Sequence, residues 1–431
     1  MKLLKRSVAL FLAALLLMGA APPAANGAEN APPKKVEEPR DQKEKIHTAK
    51  GVLQMNATEK KAFDEAMAKP ETALLKSYVI GDYETGKIYE EHNADEVVGL
   101  ASTSKLMAMY CIYDAIDKGE IGMKDKVTIG HDAASMHGST YKMKENEVYT
   151  VEELIHAGMI VSGNDAMISL AEHIAGSQEA FVARMNAKAK ELGLTHAHFI
   201  NCHGLTDYEK DDYNRATARE MFELSRRLLK DYPMILQATT REKLNEPQRE
   251  YLAYNTNPLM GILAPVDGLK TGYTGIAGRC FIATGAHMGD ENTRFTRFIG
   301  VYMGAQNDMD RYAAALKLSK RALAYRSTYL CKKDEEVGML ELKDASPNHS
   351  PVYAGKELLY LKKEGEEIKR YVDLTVPHSR KEPVGRVRYE SGGKEIGRAD
   401  VFVKEDIKHP NPILKYKDLM AAVFRSMERA A

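Results

Sequence analysis

The sequence predicts an α+β fold: an antiparallel sheet with a helical cluster, followed by a small all-β domain. Three observations carry that prediction. First, β-type runs flank a helical middle, with Ser77–Asp82 and Lys87–Glu91 before it and Cys280–Ala286 and Arg297–Met303 after it. Second, helix signals fill the interval. Thr150-Val151-Glu152-Glu153 and Thr217-Ala218-Arg219-Glu220 are capping boxes, and Ser177 reads as the N-cap of a helix closed by Gly193. Third, no helix pattern follows Cys331 until the last residues. Short strands stand there at 358–361, 371–374, 384–389 and 399–403, punctuated by Gly355 and Gly392-Gly393.

The 431 residues suffice for two domains with appendages. Basic and acidic side chains balance at 61 each, which argues against a nucleic-acid binder. Residues 1–28 read as a cleaved signal peptide and hence an exported protein. Lys2, Lys5 and Arg6 precede the apolar run Val8–Met18, and small residues from Gly19 to Ala28 follow. That run is short for a membrane span. Its removal would leave three more acidic than basic side chains.

Residues 29–70, rich in Lys, Glu and Pro, read as a polar linker with a marginal helix at Thr58–Ala68. Tyr83–Gly86 between the first two strands reads as a turn, making them a hairpin. The long segment Asp308–Leu330 reads as one amphipathic helix, closing a domain over 71–330. The all-β domain spans 335–408. Residues 409–431 form an amphipathic helix with interspersed Lys415, Lys417, Arg425 and Arg429; membrane-surface contact and docking on the protein both fit it. Cys111, Cys202, Cys280 and Cys331 lie far apart without metal-ligand spacing. Buried free thiols are the default, and a disulfide stays open.

The chemistry concentrates on Ala101-Ser102-Thr103-Ser104-Lys105. The run Leu106–Ile116 is apolar on most sides, as a helix buried in a core would be. Ser102 and Lys105 share a face at i,i+3. A serine hydroxyl needs an adjacent base, and lysine serves only if its pKa falls far below about 10.4. Burial and a nearby cation both act in that direction. Alone, Ser-x-x-Lys is short enough to arise by chance. Ser162-Gly163-Asn164 breaks two apolar helices and by itself reads as a tight turn. Lys270-Thr271-Gly272 by itself reads as a strand end, and His203 as a structural histidine.

Together and in this order the three motifs match the recorded signature of class A β-lactamases and penicillin-binding proteins. The chain resembles the serine D-alanyl-D-alanine carboxypeptidases, the low-molecular-mass penicillin-binding proteins, over about residues 72–408. Ile80–Lys87, Ser162–Ala166, His203-Gly204-Leu205 and Val266–Gly272 carry the likeness.

The resemblance implies a penicillin-binding, β-lactamase-like transpeptidase domain. It would remove the terminal D-alanine from a peptidoglycan stem peptide, with no cofactor or metal, outside the cytoplasmic membrane. Ser102 would be the nucleophile, Lys105 its base, and Ser162 a proton relay to the leaving amine. Asn164 would orient the substrate amide. Lys270 and Thr271 would hold the terminal carboxylate, and Lys270 would also help keep Lys105 neutral. Gly272 would let substrate backbone approach, and the N–H groups of Ser102 and Tyr273 would form the oxyanion hole. β-Lactam antibiotics would be inhibitors. A β-lactamase is disfavoured because Arg241 stands where a Glu-x-x-Leu-Asn glutamate belongs. A non-catalytic binding protein is disfavoured by the intact Ser102, Lys105 and Lys270. Transpeptidation stays open.

Overall fold

In the computed structural model, residues 45–341, 348–375 and 382–405 are described, together with Tyr416, Met420 and Ala421. The expected signal peptide, the linker over 29–44 and nearly all of the 409–431 helix lie outside them. Among the described residues no helix is long and apolar enough to cross a membrane.

The central sheet has five antiparallel strands. In chain order they are β3 (Ser77–Asp82), β4 (Ile88–His92), β7 (Val266–Thr274), β8 (Gly278–His287) and β9 (Thr296–Ala305). Two short hairpins take the intervening numbers: β1 (Lys45–Thr48) with β2 (Gly51–Gln54), and β5 (Lys243–Glu246) with β6 (Tyr251–Tyr254). The strand order in the sheet is β7-β8-β9-β3-β4. Its strands read as continuous apolar runs because both faces are covered. Val79, Cys280, Ile282, Ile299 and Val301 point into one core, and their neighbours Tyr78, Ile80, Phe281, Ala283 and Phe298 into the other. The period of two thus divides each strand between two cores.

The first core is roofed by helices. They are α2 (Lys105–Asp117), α3 (Val151–Ile160), α4 (Asn164–Ala175), α5 (Gln178–Glu191) and α6 (Ala218–Asp231). Helix α2 is buried from Lys105 to Ala115, which is why its sequence is apolar all round. The expected capping boxes form at Thr150–Glu153 and Thr217–Glu220.

The second core corrects the linker expectation. From Lys45 onward the chain is folded: β1 and β2 lead into α1 (Ala57–Ala68), which is capped by an Asn56–Glu59 capping box. Phe63 and Ala66 are buried against α7 (Asp308–Leu323), with the Phe63 ring 5.0 Å from Tyr312. The segment looked solvated because only one narrow stripe of a polar helix is buried.

A second correction falls at the end of α7. The expected helix to Leu330 stops at Leu323, and β10 (Tyr325–Cys331) pairs with β13 (Leu358–Lys363). Tyr325, Thr328 and Tyr329 favour a pleated surface once a partner strand is present. Beyond it, β11 (Glu336–Glu341), β12 (His349–Ala354), β14 (Lys369–Leu374), β15 (Gly385–Ser391) and β16 (Lys394–Phe402) make a sheet in the order β11-β12-β16-β15-β14. Strands β11 and β12 were not anticipated. This all-β part has its own core around Val352, Val387, Ala399 and Val401. All four cysteines are buried and free.

Candidate active site

Ala101–Ser104 is a turn of 3-10 helix leading directly into α2. In that geometry residues three apart eclipse, which brings Lys105 beside Ser102 more closely than an α-helical turn would. Lys105 Nζ lies 2.7 Å from Ser102 Oγ. It also donates to Asn164 Oδ1 at 2.8 Å and to the carbonyl of His203 at 2.7 Å, and lies 3.4 Å from Ser162 Oγ. A neutral amine has two hydrogens and one lone pair. Asn164 and His203 accept the hydrogens, so the lone pair is left facing the Ser102 hydroxyl.

Lys105 has no exposed surface. Burial pulls it down to about 7, opposed in part by Cys202 and Asp165. Ser162 stands at φ +62°, a left-handed position that a serine resists. The Ser-Gly-Asn break is therefore both a tight turn between α3 and α4 and the support for Ser162. Ala101 has φ +46°. Left-handed backbone at non-glycine residues concentrates where the surroundings over-determine it, as at catalytic sites.

Strand β7 is an edge strand and lies against the Ser102 turn. A Cβ built on Gly272 would stand 2.7 Å from the backbone nitrogen of Ser102 and 3.0 Å from that of Thr103. The glycine is thus required by the Ser102 turn, besides any approach of substrate backbone. Thr271 is buried and its Oγ1 lies 2.6 Å from Thr256 Oγ1. Lys270 is buried, with Nζ donating to the Thr271 carbonyl at 2.8 Å. Burial holds it well below its ordinary value, with the charges of Lys105 and Arg311 adding. Burial is the first cause at Lys105, and the repulsion between the two lysines appears at Lys270. Tyr273 is 54% exposed, and the Arg279 guanidinium lies 4.0 Å from its ring centroid.

Asn164 is committed at both ends of its amide, since Nδ2 donates to the His137 carbonyl at 2.9 Å. That differs from an amide free to orient substrate; its resting contacts position Lys105.

Several contributors were missed in the sequence. His203 acts through its carbonyl, which lies 3.2 Å from Ser102 Oγ and competes with Lys105 for the hydroxyl's single hydrogen. Its ring is held neutral, lowered to about 3 by burial and by Lys105 and His137. The loop is fixed by Asn201 Oδ1, which accepts from the N–H of Gly204 at 2.6 Å, and by Asn214, whose Nδ2 donates to Ser104 Oγ at 2.8 Å. A Cβ on Gly204 would collide with the Ala101 carbonyl, so His-Gly-Leu is the local trace of this loop. Arg311, in the first turn of α7, is paired with Asp308 at 2.8 Å, and its buried Nε has no hydrogen-bond partner.

The arrangement provides a hydroxyl, an amine with a neutral-range pKa, a buried lysine on the adjoining strand and an arginine on α7: the parts needed for acyl transfer to serine from a substrate bearing a carboxylate.

Comparison with known proteins agrees with that chemistry. The family described as D-alanyl-D-alanine carboxypeptidase matches residues 64–307. D-alanyl-D-alanine carboxypeptidase DacF of Bacillus subtilis is 35% identical over 344 residues, covering 77% of this chain and 86% of that protein. DacC of Escherichia coli is 30% identical over 352 residues, covering 77% and 84%. Among solved structures, penicillin binding protein 5 from Haemophilus influenzae superposes with a TM-score of 0.58 at 26% identity, covering 78% of this chain and 98% of the other. Penicillin-Binding Protein D2 from Listeria monocytogenes in its ampicillin-bound form gives a TM-score of 0.51 at 28% identity, covering 58% and 97%.

Proposed function

The chain belongs to the D-alanyl-D-alanine carboxypeptidase family, and from that premise we propose how its own residues perform the reaction. The enzyme is a serine peptidase that removes the terminal D-alanine from peptidoglycan stem pentapeptides, and β-lactams bind in the same site.

Neutral Lys105 takes the proton of Ser102 as Oγ attacks the carbonyl carbon between the two D-alanines. The oxyanion that forms is held by the backbone N–H groups of Ser102 and Tyr273. One such donor contributes about 2.7–4 kcal/mol to the transition state. The proton on Lys105 passes through Ser162 to the leaving nitrogen, the C–N bond breaks, and D-alanine departs. Water then attacks the ester carbonyl and gives its proton to Lys105, which passes it to Ser102 Oγ as the C–O bond breaks and the shortened peptide leaves.

Lys270, Thr271 and the neighbouring charge of Arg311 hold the terminal carboxylate. That anion restores the charge of Lys270, which then disfavours a proton on Lys105. The substrate thereby keeps Lys105 unprotonated and ready to accept the serine proton. Asn164 Oδ1 keeps Lys105 aimed while Nδ2 is held by the His137 carbonyl.

Peptidoglycan lies outside the cytoplasmic membrane, so the enzyme acts there. Residues 1–28 direct export, residues 71–330 form the catalytic domain and 335–408 a non-catalytic β domain. Residues 409–431 make contact with the membrane surface.

The observation that carries the reading is the 2.7 Å approach of the fully buried Lys105 Nζ to Ser102 Oγ. The test is release of free D-alanine from a stem pentapeptide, run beside fluorescent penicillin labelling. Ser102→Ala is expected to abolish both while the protein stays folded. Labelling that persists in that variant overturns the serine assignment.

A further inference from the structure

Arg249 lies between β5 and β6, well away from the three motifs in sequence. Its guanidinium is 4.5 Å from the ring centroid of Tyr141, 5.3 Å from Tyr149 and 5.6 Å from Tyr251. The same group donates from Nη2 to the carbonyls of Tyr141 and Lys142, each at 3.1 Å, and from Nη1 to Glu246 Oε2 at 3.0 Å. A planar guanidinium bonds at its edge and stacks on its face at once, which an ammonium group does not do.

The segment it grips is the one that wraps Asn164. The His137 carbonyl accepts from Asn164 Nδ2, and the Ser139 carbonyl accepts from the Asn164 backbone N–H at 2.8 Å. Asp165 Oδ1 accepts from the N–H of Tyr141 at 3.0 Å, and Oδ2 from that of Met143 at 3.3 Å. Between them Lys142 stands at φ +59°, a conformation a lysine leaves unless both flanks are held. Asp165 holds the N–H groups of this stretch, and Arg249 holds its carbonyls.

We propose that Arg249 is a positioning residue for acylation: by gripping the Tyr141 and Lys142 carbonyls it locks segment 137–143, and the locked segment holds Asn164 against Lys105. The path is continuous, from Arg249 through the Lys142 backbone to the His137 carbonyl, then Asn164, then Lys105 Nζ. The proposal rests on Lys105 being the base. It differs from a purely structural staple in what it moves. A staple changes the melting temperature alone, whereas a lost lock lets water reach Lys105.

The test is the rate of penicillin acylation against pH in the full chain, for the wild type, Arg249→Met and Arg249→Lys, with melting temperatures alongside. The groups facing Lys105 are Ser102, Ser162, Asn164 and the His203 carbonyl, with Asp165, Cys202 and Lys270 near by. Glu246, Glu147 and Tyr251 surround Arg249 itself.

Arg249→Met is expected to slow acylation about tenfold and to move the midpoint of its pH dependence upward. Arg249→Lys is expected to recover part of the rate, since it keeps the charge without bridging two carbonyls. A lower melting temperature with rate and midpoint unchanged overturns the proposal. Should Arg249→Met fail to fold, Arg249→Lys decides alone, and wild-type kinetics in it overturn the proposal. If the wild type shows no ionisation near neutrality, the base assignment fails instead. The lock is then judged on the Arg249→Met rate, and an unchanged rate overturns it.

Discussion

Asn164 Oδ1 accepts from Lys105 Nζ at 2.8 Å while the other end of the same amide is tied to the His137 carbonyl. A neutral acceptor at that distance aims the amine and favours its charged form far less than an anion would. Asn164→Asp would place a carboxylate there, and an adjacent anion favours the protonated lysine. The midpoint of acylation against pH is expected to move up, with the rate at pH 7 falling about tenfold for each unit of that movement. Stopped-flow labelling with a fluorescent penicillin reads both. An unmoved midpoint would show that this contact does not govern the base.

The wild-type profile has a definite sign. Burial lowers Lys105 to about 7. Below that pH the amine carries a proton and cannot accept one from Ser102; above it the lone pair is free. Acylation is therefore expected to rise through neutrality and level off on the alkaline side. In Lys105→Ala the limb should vanish and the remaining rate fall by about a hundredfold or more. A wild-type rate that falls through the same range would contradict a lysine base.

Gly272 offers a separate test of geometry. The Cβ of Gly272→Ala would lie 2.7 Å from the Ser102 nitrogen, so either β7 or the nucleophile turn must shift. Displacement of this order in a reacting group slows catalysis by about a hundredfold. Acylation is expected to fall by that order while the helical core around α2 keeps its far-ultraviolet circular dichroism. Near-normal acylation would mean that the strand yields without disturbing the serine.

The amino-terminal layer makes a prediction about stability. Phe63 is buried and packs on Tyr312. Phe63→Ala is expected to lower stability by about 3–5 kcal/mol, the usual result of emptying a large aromatic site. Denaturant unfolding measures it, and penicillin acylation per folded molecule should stay unchanged. A loss below about 0.5 kcal/mol, as for a surface position, would return this segment to the linker class.

The difference between Ser102 and Phe63 shows which features were legible. Ser102 and Lys105 are three residues apart, so their proximity is local and any turn of helix delivers it. The strands of the central sheet and the helix caps were readable for the same reason, being set by neighbours within a few positions. The burial of Phe63 depends on Tyr312, nearly the whole domain away in sequence. A short polar helix with one apolar stripe looks like a solvated linker until its partner is in place. The end of α7 is similar: Tyr325–Cys331 becomes a strand only because Leu358–Lys363 lies beside it.

The sequence by itself determined the chemistry available: a serine paired locally with a lysine, a second polar motif between two helices, and a lysine at a strand end. Those features depend on residue type and short spacing, which the chain states directly. Only the tertiary structure decided that the base is aimed by Asn164 and the His203 carbonyl, that Gly272 faces the nucleophile's turn, and that Arg249 grips the segment behind Asn164. Backbone carbonyls, desolvation and contacts between distant segments have no residue code. They arise when packing removes water and brings remote stretches within hydrogen-bonding distance.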